Sequence, residues 1–219
     1  FQFLAGQYLE FLLKDNKRRA YSIASAPHEE GPVELHIRHL PGGLFTDPLF
    51  GQTADGKQIK EKDILRFEGP LGSFFLREDS KKPIIFLASG TGFAPIKAML
   101  TSIQNKKIDR EIHFYWGGRR PKDLYMDSLC QEFTHTIPGF HYIPVISEAL
   151  PEDGWQGRTG FVHRAVMHDF SDLSSYQVYA CGAPIVIAAA RTDFVKECRL
   201  PEEEFFADSF TSEADLISA

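Results

Sequence analysis

The feature that most restricts the fold is an alternation of strand and helix patterns that runs from residue 84 to residue 208. Residues 84–88 form a continuous apolar run, which is typical of a strand buried on both faces. Ile96, Met99 and Ile103 then follow helical spacing. Further strands are predicted at residues 112–116, 142–146, 177–180 and 204–208, and further helices at residues 122–132, 161–168 and 184–198. This alternation predicts a doubly wound, five-stranded parallel sheet.

The first part of the chain has a different pattern. Short runs rich in apolar residues, separated by turns, predict strands at residues 1–4, 8–13, 19–25, 33–38 and 64–68. Several short strands with glycine and proline turns indicate a small barrel or sandwich. A charged linker around residues 78–83 separates the two patterns. We therefore predict two domains, residues 1–79 and residues 80–219.

Charge and cysteine content argue against several classes of protein. The net charge is −6 and the basic residues are scattered, which is not the pattern of a nucleic-acid binder. No apolar run approaches the roughly 18 residues that cross a bilayer. The three cysteines lack CxxC spacing, so no disulfide framework, zinc site or iron–sulfur site is expected within the chain, and a reducing cytoplasm is the natural setting. The histidines show no ligand spacing, and no metal site is predicted from His113, His135, His141, His163 or His168.

One predicted strand carries a pair of side chains suited to a nucleotide. In residues 19–25, Arg19 and Tyr21 lie on one face, roughly 7 Å apart. A guanidinium group suits a phosphate and an aromatic face suits a flat heterocycle, and a flavin nucleotide carries both groups. Taken alone, the same residues also fit an ordinary strand with an exposed arginine and a packed tyrosine.

Three glycine-bearing turns follow strands of the predicted parallel sheet. They are Ser89-Gly90-Thr91-Gly92-Phe93-Ala94-Pro95, Gly117-Gly118-Arg119-Arg120 and Cys181-Gly182-Ala183-Pro184. Ligands of open parallel sheets lie at the carboxyl ends of the strands, and the three turns together predict dinucleotide binding there. The first turn is not a GxGxxG motif, and simple packing turns are the alternative. In the first half, the N–H groups of Gly42 and Gly43 could face a second pyrophosphate, although a plain loop explains them equally well.

The ordered set of motifs resembles the ferredoxin–NADP reductase superfamily. The matching motifs are Arg19-x-Tyr21-Ser22, Gly90-Thr91-Gly92-x-Ala94-Pro95 and Cys181-Gly182-x-Pro184, with Ala5-Gly6-Gln7-Tyr8 and Gly69-Pro70-Leu71-Gly72. Residues 37–46 look most like the bacterial CDP-6-deoxy-glucoseen reductases, and residues 115–119 are shared with free-flavin reductases. The resemblance implies an FAD-binding antiparallel barrel of six strands, whose first strand would precede Phe1, and an NAD(P)H-binding Rossmann-like domain.

The resemblance also implies residue roles. FAD would be bound by Arg19, Ala20, Tyr21, Ser22, His36, Ile37, Arg38, Gly42, Gly43, Phe45, Thr46, Thr91 and Phe210. NAD(P)H would be bound by Gly90, Thr91, Gly92, Ala94, Pro95, Gly117, Arg119, Cys181 and Gly182. Ser22, Cys181 and Phe210 would be the catalytic residues, with Ser22 near the flavin N5 atom, Cys181 near the nicotinamide and Phe210 covering the flavin. The alternatives are a small buried filler for Cys181 and an aromatic plug for Phe210. Asp208 is a weaker candidate for orienting or protonating the flavin.

The implied function is an FAD enzyme that takes hydride from NAD(P)H and passes single electrons to an iron–sulfur centre. That [2Fe-2S] centre would lie on an upstream segment or a separate partner. The alternatives are a free-flavin reductase and a non-catalytic nucleotide-binding module. Arg119, Arg120 and Lys122 could bind a 2′-phosphate, yet Asp123 lies nearby, and the resemblance favours NADH.

Overall fold

The structure, a computed structural model, describes residues 1–210. Its strands are β1 (Tyr8–Leu12), β2 (Arg18–Ser22), β3 (Phe67–Leu71), β4 (Ile84–Ser89), β5 (Ile112–Gly118), β6 (Phe140–Ile146), β7 (Arg158–Thr159), β8 (Gln177–Gly182) and β9 (Phe205–Ser209). Its helices are α1 (Thr46–Phe50), α2 (Phe93–Lys106), α3 (Asp127–Thr136), α4 (Val162–Asp169) and α5 (Pro184–Glu197). Residues 211–219, the end of the second predicted domain, lie outside the described residues.

The first half contains an antiparallel sheet in the order β2-β1-β3, in which Leu9 pairs with Tyr21. The antiparallel character is confirmed, but the described part of this half has three regular strands instead of a full barrel. The segment predicted as a strand at residues 33–38 forms one isolated bridge, between Ile23 and Leu35. Two of its side chains, Glu34 and His36, are instead bonded to residues of the second half. The strand predicted at residues 64–68 is shifted, since β3 begins at Phe67, and residues 1–4 are not in a strand.

The second half is a parallel sheet in the order β7-β6-β5-β4-β8-β9. The predicted parallel sheet is confirmed with one difference, because it has six strands instead of five. The additional strand, β7, has two residues and pairs Val145 with Arg158. A strand this short carries no periodic pattern, which is why the sequence does not reveal it.

Helices cover both faces of the parallel sheet. Phe86 and Trp116 lie in one apolar cluster with residues of α2 and α3, and Leu87 and Tyr115 lie in a second cluster with residues of α4 and α5. Helix α3 begins later than predicted, because the Asp123 carboxylate accepts the N–H groups of residues 119 and 120 and closes a separate turn before it. This double winding brings the three glycine-bearing turns to the carboxyl ends of β4, β5 and β8.

Two side-chain contacts join the halves next to that edge. Lys97 of α2 is only 7% exposed, and its Nζ donates to the Glu34 carboxylate at 2.9 Å and to the Ala24 carbonyl at 3.3 Å. His36 is hydrogen-bonded through Nδ1 to the Tyr125 hydroxyl at 2.7 Å. Together the contacts hold residues 24–36 against the parallel sheet. None of the helices in residues 1–210 is long and apolar enough to cross a membrane.

Candidate functional site

A cleft of about 810 Å³ lies where the two halves meet. It is lined by Tyr8, Glu10, Arg18, Arg19, Ala20, Tyr21, Ser22, His36, Arg38, His39, Leu40, Pro41, Gly42, Gly43, Phe45, Thr46, Thr91, Ala94, Asp208, Ser209 and Phe210. Every residue predicted to bind FAD lines this cleft except Ile37. Tyr8, Glu10 and Arg18 also line the cleft although their local sequence does not indicate it, because the pairing of β1 with β2 places them there.

The residues predicted to bind NAD(P)H divide into two groups. Thr91 and Ala94 line the cleft. The others occupy the turns at the carboxyl edge of the parallel sheet, namely Gly90, Gly92 and Pro95 after β4, Gly117 and Arg119 at β5, and Cys181 and Gly182 at the end of β8. The two groups are contiguous, because Thr91 belongs to the turn after β4.

Tyr21 is held by two aromatic neighbours. Its ring centroid lies 6.0 Å from that of Phe11 and 5.5 Å from that of Phe45, and Phe11 and Phe45 stack at 4.5 Å. Burial raises the pKa of the Tyr21 phenol, so the ring is neutral at physiological pH. Tyr21 and Phe45 therefore form an aromatic part of the cleft wall, and Phe11, which does not line the cleft, packs against both rings.

The loop before α1 is closed by hydrogen bonds within residues 40–47. The N–H of Gly43 donates to the Leu40 carbonyl at 2.9 Å, and the N–H of Gly42 donates to the Asp47 carboxylate at 3.0 Å. In this structure the two N–H groups donate to residues 40 and 47, and their binding of a pyrophosphate stays a prediction. A Cβ at Gly43 would lie 2.3 Å from the Thr46 Oγ1 atom. The glycine is required for the tight turn.

The turns after β4 and β8 interlock. A Cβ at Gly92 would lie 2.1 Å from the Cys181 carbonyl oxygen, and one at Gly182 would lie 2.3 Å from the Ser89 hydroxyl. That hydroxyl accepts the Ala183 N–H at 2.9 Å. The glycines thus allow close packing between the two turns.

The side chain of Trp116 contacts the turn after β4 and holds it in place. Its indole Nε1–H donates to the Gly90 carbonyl at 3.0 Å, and its ring stacks on Phe93 at 4.3 Å. Tyr125, bonded to His36 of the cleft wall, packs edge-on against the same indole at 5.2 Å. A continuous set of contacts therefore joins the cleft wall to the Gly90 turn.

Ser22, Asp208 and Cys181 meet at the side of the cleft that faces the parallel sheet. The Ser22 hydroxyl donates to Asp208 Oδ2 at 3.3 Å, and the Cys181 sulfur lies 4.0 Å from the same oxygen. Burial raises the pKa of Asp208, although the hydrogen bond from Ser22 opposes this rise. Burial, reinforced by the Asp208 charge, also raises the pKa of the Cys181 thiol. The cysteine is fully buried and does not itself line the cleft.

Phe210 directly follows the last residue of β9. Its N–H donates to the Gly182 carbonyl at 2.8 Å, and its ring packs on the apolar cluster of α2 and α3 while lining the cleft. The residue therefore stands beside both the cleft and the turn after β8.

The basic residues after β5 are bonded to acidic groups. Arg120 forms a bidentate ion pair with Asp153, with both N–O distances at 2.7 Å. The side chain of Arg119 is 75% exposed and lies 3.9 Å from the Glu148 carboxylate. Sequence reasoning did not identify Asp153 and Glu148, because they follow other strands and meet the arginines only in the folded sheet.

The donor set in the cleft fits a flavin adenine dinucleotide. Arg19 and Arg38 suit phosphates, the Tyr21 ring suits a planar heterocycle, and the Ser22 and Thr46 hydroxyls suit polar ring or sugar atoms. Gly42 and Gly43 also line the cleft and present no side chain to it. The residues present are therefore compatible with FAD.

Comparisons with known proteins agree with this geometry. Residues 1–76 match the oxidoreductase FAD-binding domain family, and residues 86–192 match the oxidoreductase NAD-binding domain family. The chain is 44% identical over 209 residues to the CDP-6-deoxy-L-threo-D-glycero-4-hexulose-3-dehydrase reductase of Yersinia pestis, covering 95% of this chain and 60% of that protein. The chain thus spans about three fifths of the length of this relative.

Two further comparisons extend the match. The chain is 32% identical over 209 residues to a probable flavin reductase of Aliivibrio fischeri, covering 95% of this chain and 86% of that protein. The crystal structure of the Amycolatopsis cytochrome P450 reductase GcoB superposes with a TM-score of 0.84 at 31% identity, over 97% of this chain and 62% of that chain. The chain therefore belongs to the ferredoxin–NADP reductase family, whose members combine an FAD-binding domain with an NAD-binding domain.

Proposed function

We propose that this chain is the flavin- and nicotinamide-binding part of a reductase that takes hydride from NAD(P)H and delivers single electrons to an iron–sulfur centre. One observation carries the proposal: the side chains suited to FAD share a single cleft with Thr91 and Ala94, which belong to the turn after β4 and the start of α2. Ser22 of the first half and Asp208 of the second half are hydrogen-bonded there. We further propose that residues 1–79 bind FAD and residues 80–219 bind NAD(P)H.

In this proposal, Arg19 binds the FAD phosphates, Tyr21 stacks on the flavin ring, and Ser22 hydrogen-bonds near the reactive edge of the ring. The remaining residues that line the cleft complete its surface. When bound, FAD supplies a carrier that accepts a hydride and releases its electrons singly. The chain contributes mainly orientation, because holding two reactants in contact removes much of the entropic cost of their encounter.

In this proposal, Asp208 holds a proton for the reaction and Cys181 lies beside the nicotinamide. The raised pKa of Asp208 lets it hold a proton nearer neutral pH than an ordinary aspartate, and Ser22 is placed to pass that proton into the cleft. The neutral Cys181 thiol is small and places no negative charge beside the positively charged ring of NAD⁺. Phe210 shields the cleft until the nicotinamide enters.

NADH is the proposed donor. The 2′-phosphate of NADPH needs free cationic groups, yet Arg120 is paired with Asp153 and Arg119 lies beside Glu148. The exposed ring of Phe161, which precedes α4 beside the end of β5, offers an apolar surface for an adenine. Three cysteines that are all free and buried support a reducing cytoplasm as the location.

The iron–sulfur acceptor is proposed to be a [2Fe-2S] centre on another segment or another protein, because the three cysteines of the chain are spread through the parallel-sheet half and lack cluster spacing. The Yersinia relative supports a reductase that serves a partner enzyme, since its name joins a dehydrase and a reductase. We propose no role for a nucleic acid or a membrane.

The test is anaerobic reduction of the purified chain after dialysis against flavin-free buffer. A yellow protein that retains one FAD per chain and bleaches on addition of NADH is the expected result. Adding an oxidised [2Fe-2S] ferredoxin should then restore the flavin colour as the ferredoxin is reduced. A colourless protein that takes up no flavin would overturn the proposal.

A free-flavin reductase is the second candidate, favoured by the Aliivibrio relative, of which the chain covers 86%. This enzyme would lose its flavin on dialysis and would turn over added FMN or riboflavin with saturation kinetics. Retention of FAD through dialysis separates the two candidates.

A further inference from the structure

Two histidines face each other at the amino end of the parallel sheet, away from the cleft. His113 of β5 is paired in register with His141 of β6, and their rings stack with centroids 4.6 Å apart. Glu111, just before β5, places its Oε1 atom 2.8 Å from His113 Nε2. One ligand atom from each of the three residues lies within 4.8 Å of the others. We infer that Glu111, His113 and His141 form a binding site for a divalent transition metal, with Zn²⁺ as the best match.

The donor chemistry favours zinc. Imidazole nitrogen and carboxylate oxygen are zinc ligands at about 2.0–2.2 Å, and a tetrahedral site with three protein ligands is completed by water. Bonds of that length place the donors roughly 3.4 Å from one another, so the donor atoms that lie farthest apart, at up to 4.8 Å, need to approach by up to about 1.4 Å. Mg²⁺ and Ca²⁺ prefer sets made entirely of oxygen and are not expected to bind here.

The adjustment needed is confined to exposed side chains. A coordinated metal lies in the plane of each imidazole, and two stacked rings share no plane, so one ring must turn. His141 is exposed, and the side chain of Glu111 is 55% exposed, so both can rotate. The His113 side chain is 15% exposed, and the edge of Phe170 packs against its ring at 4.9 Å. His113 is therefore the fixed ligand, and the other two close onto it.

A simple ion pair explains only part of this arrangement. An ion pair needs only Glu111 and His113. It does not account for His141, which is paired in register with His113 and stacks on its ring. The two histidines lie on adjacent strands, where backbone pairing fixes the separation of their Cα atoms before a metal arrives. The sequence does not reveal the site, because the histidines are brought together only by strand pairing.

The distance of the metal site from the cleft determines which properties of the chain a bound metal should affect. Strand β5 runs from Ile112 to Gly118, which puts His113 roughly 15 Å from the turn that follows the strand. A bound metal would join the starts of β5 and β6 without touching the cleft. We therefore expect zinc to raise the stability of the chain and to leave the rate of flavin reduction unchanged.

The test uses the full chain with FAD bound, treated with EDTA, dialysed and titrated with zinc chloride against a coloured chelator. One zinc per chain is expected, with a melting temperature that rises with zinc concentration and does not respond to magnesium. His141→Ala and Glu111→Gln change exposed side chains and keep the fold, and each should weaken zinc binding at least about tenfold. His135→Ala, on the exposed end of α3, is the matched control and should bind zinc as the wild type does.

Three results would overturn the inference. The first is the absence of a one-to-one zinc complex. The second is binding that His141→Ala leaves intact. The third is an equal loss in the His135→Ala control, which would indicate nonspecific binding to surface histidines.

Discussion

The hydroxyl of Ser22, at the end of β2, donates to the carboxylate of Asp208, in β9, over 3.3 Å. This bond joins the antiparallel sheet to the edge strand of the parallel sheet, across the cleft that we propose for FAD. The Cys181 sulfur lies 4.0 Å from the same carboxylate oxygen. The position of these groups is therefore set by both halves of the chain together, and their removal should affect chemistry more than binding.

Ser22→Ala should slow the reduction of bound flavin by NADH. The substitution removes the hydroxyl that we place near the reactive edge of the flavin ring, which gains negative charge as hydride arrives, and loss of a hydrogen bond of about 1.5–3 kcal/mol to a charged group corresponds to a rate loss of roughly 10- to 150-fold. Stopped-flow absorbance measures the rate, and fluorescence titration measures FAD affinity. Weakened FAD binding at an unchanged reduction rate would assign Ser22 to binding alone.

Asp208→Asn should change the pH dependence of stability. Burial raises the pKa of this carboxyl above its ordinary value of 3.8, so the native state binds the proton more tightly than the unfolded state. Between the two pKa values the free energy of unfolding therefore falls as pH increases, and the loss is complete above the native pKa. The asparagine has no charge to bury, so its stability relative to wild type should increase as pH rises through this window. Urea unfolding at a series of pH values measures the difference, and a constant difference would contradict the expectation.

Tyr21→Ala should weaken FAD binding, whereas Tyr21→Phe should not. Alanine removes the ring that packs with Phe11 and Phe45, and loss of the ring stack and its buried area corresponds to about tenfold or more in affinity. Phenylalanine keeps the ring. The dissociation constant, obtained from quenching of flavin fluorescence, compares the two variants, and equal affinities would remove Tyr21 from the site.

Gly92→Ala should destabilise the chain and raise the KM for NADH. The new Cβ would lie 2.1 Å from the Cys181 carbonyl oxygen, and backbone cannot give way as a side chain can, so overpacking of about 1–3 kcal/mol is expected. Gly90→Asn in the same turn is the control for stability alone, because Gly90 has open space around it and a φ of 54° that asparagine tolerates. Thermal unfolding compares the two variants, and steady-state kinetics measure the KM of Gly92→Ala against the wild type. The prediction fails if the control loses as much stability as Gly92→Ala.

Asp153→Asn should lower the KM for NADPH. The substitution removes the carboxylate charge that pairs with Arg120 in a bidentate contact, so that the exposed Glu152 carboxylate, at 3.7 Å, is left to compete with a 2′-phosphate for the guanidinium group. The KM for NADH should change little, since NADH lacks that phosphate. Steady-state kinetics with both donors measure the ratio. An unchanged ratio would place the 2′-position away from Arg120.

The parallel sheet was predictable in detail because its strands are buried. The apolar runs at β4 and β5 and the helical spacing in α2 follow directly from burial on two faces. The antiparallel half was less predictable, since residues 33–38 alternate like a strand yet form a single bridge. Glu34 and His36 in that segment are hydrogen-bonded to Lys97 and Tyr125, respectively. No local sequence pattern indicates partners so distant in the chain.

The candidate site likewise has a part that the sequence predicts and a part that it does not. Arg19, Tyr21 and Ser22 were predictable because one short motif carries all three, and the structure places them on one cleft. For the Gly42 and Gly43 N–H groups the sequence left pyrophosphate binding and a plain loop equally open, and in the structure they donate to Asp47 and Leu40. A sequence indicates where a glycine turn occurs, whereas the partner of each N–H group depends on the turn's three-dimensional path.

The most direct measurement is the anaerobic reaction of the FAD-loaded chain with NADH that carries deuterium at the transferred C4 position. Loss of the visible flavin absorbance at one equivalent of NADH per chain is expected, with a slower rate for the deuterated donor than for ordinary NADH. The slower rate would establish that transfer of the C4 hydrogen to the flavin limits its reduction. An absorbance that is unchanged by NADH, while FAD remains bound, would contradict the proposed function.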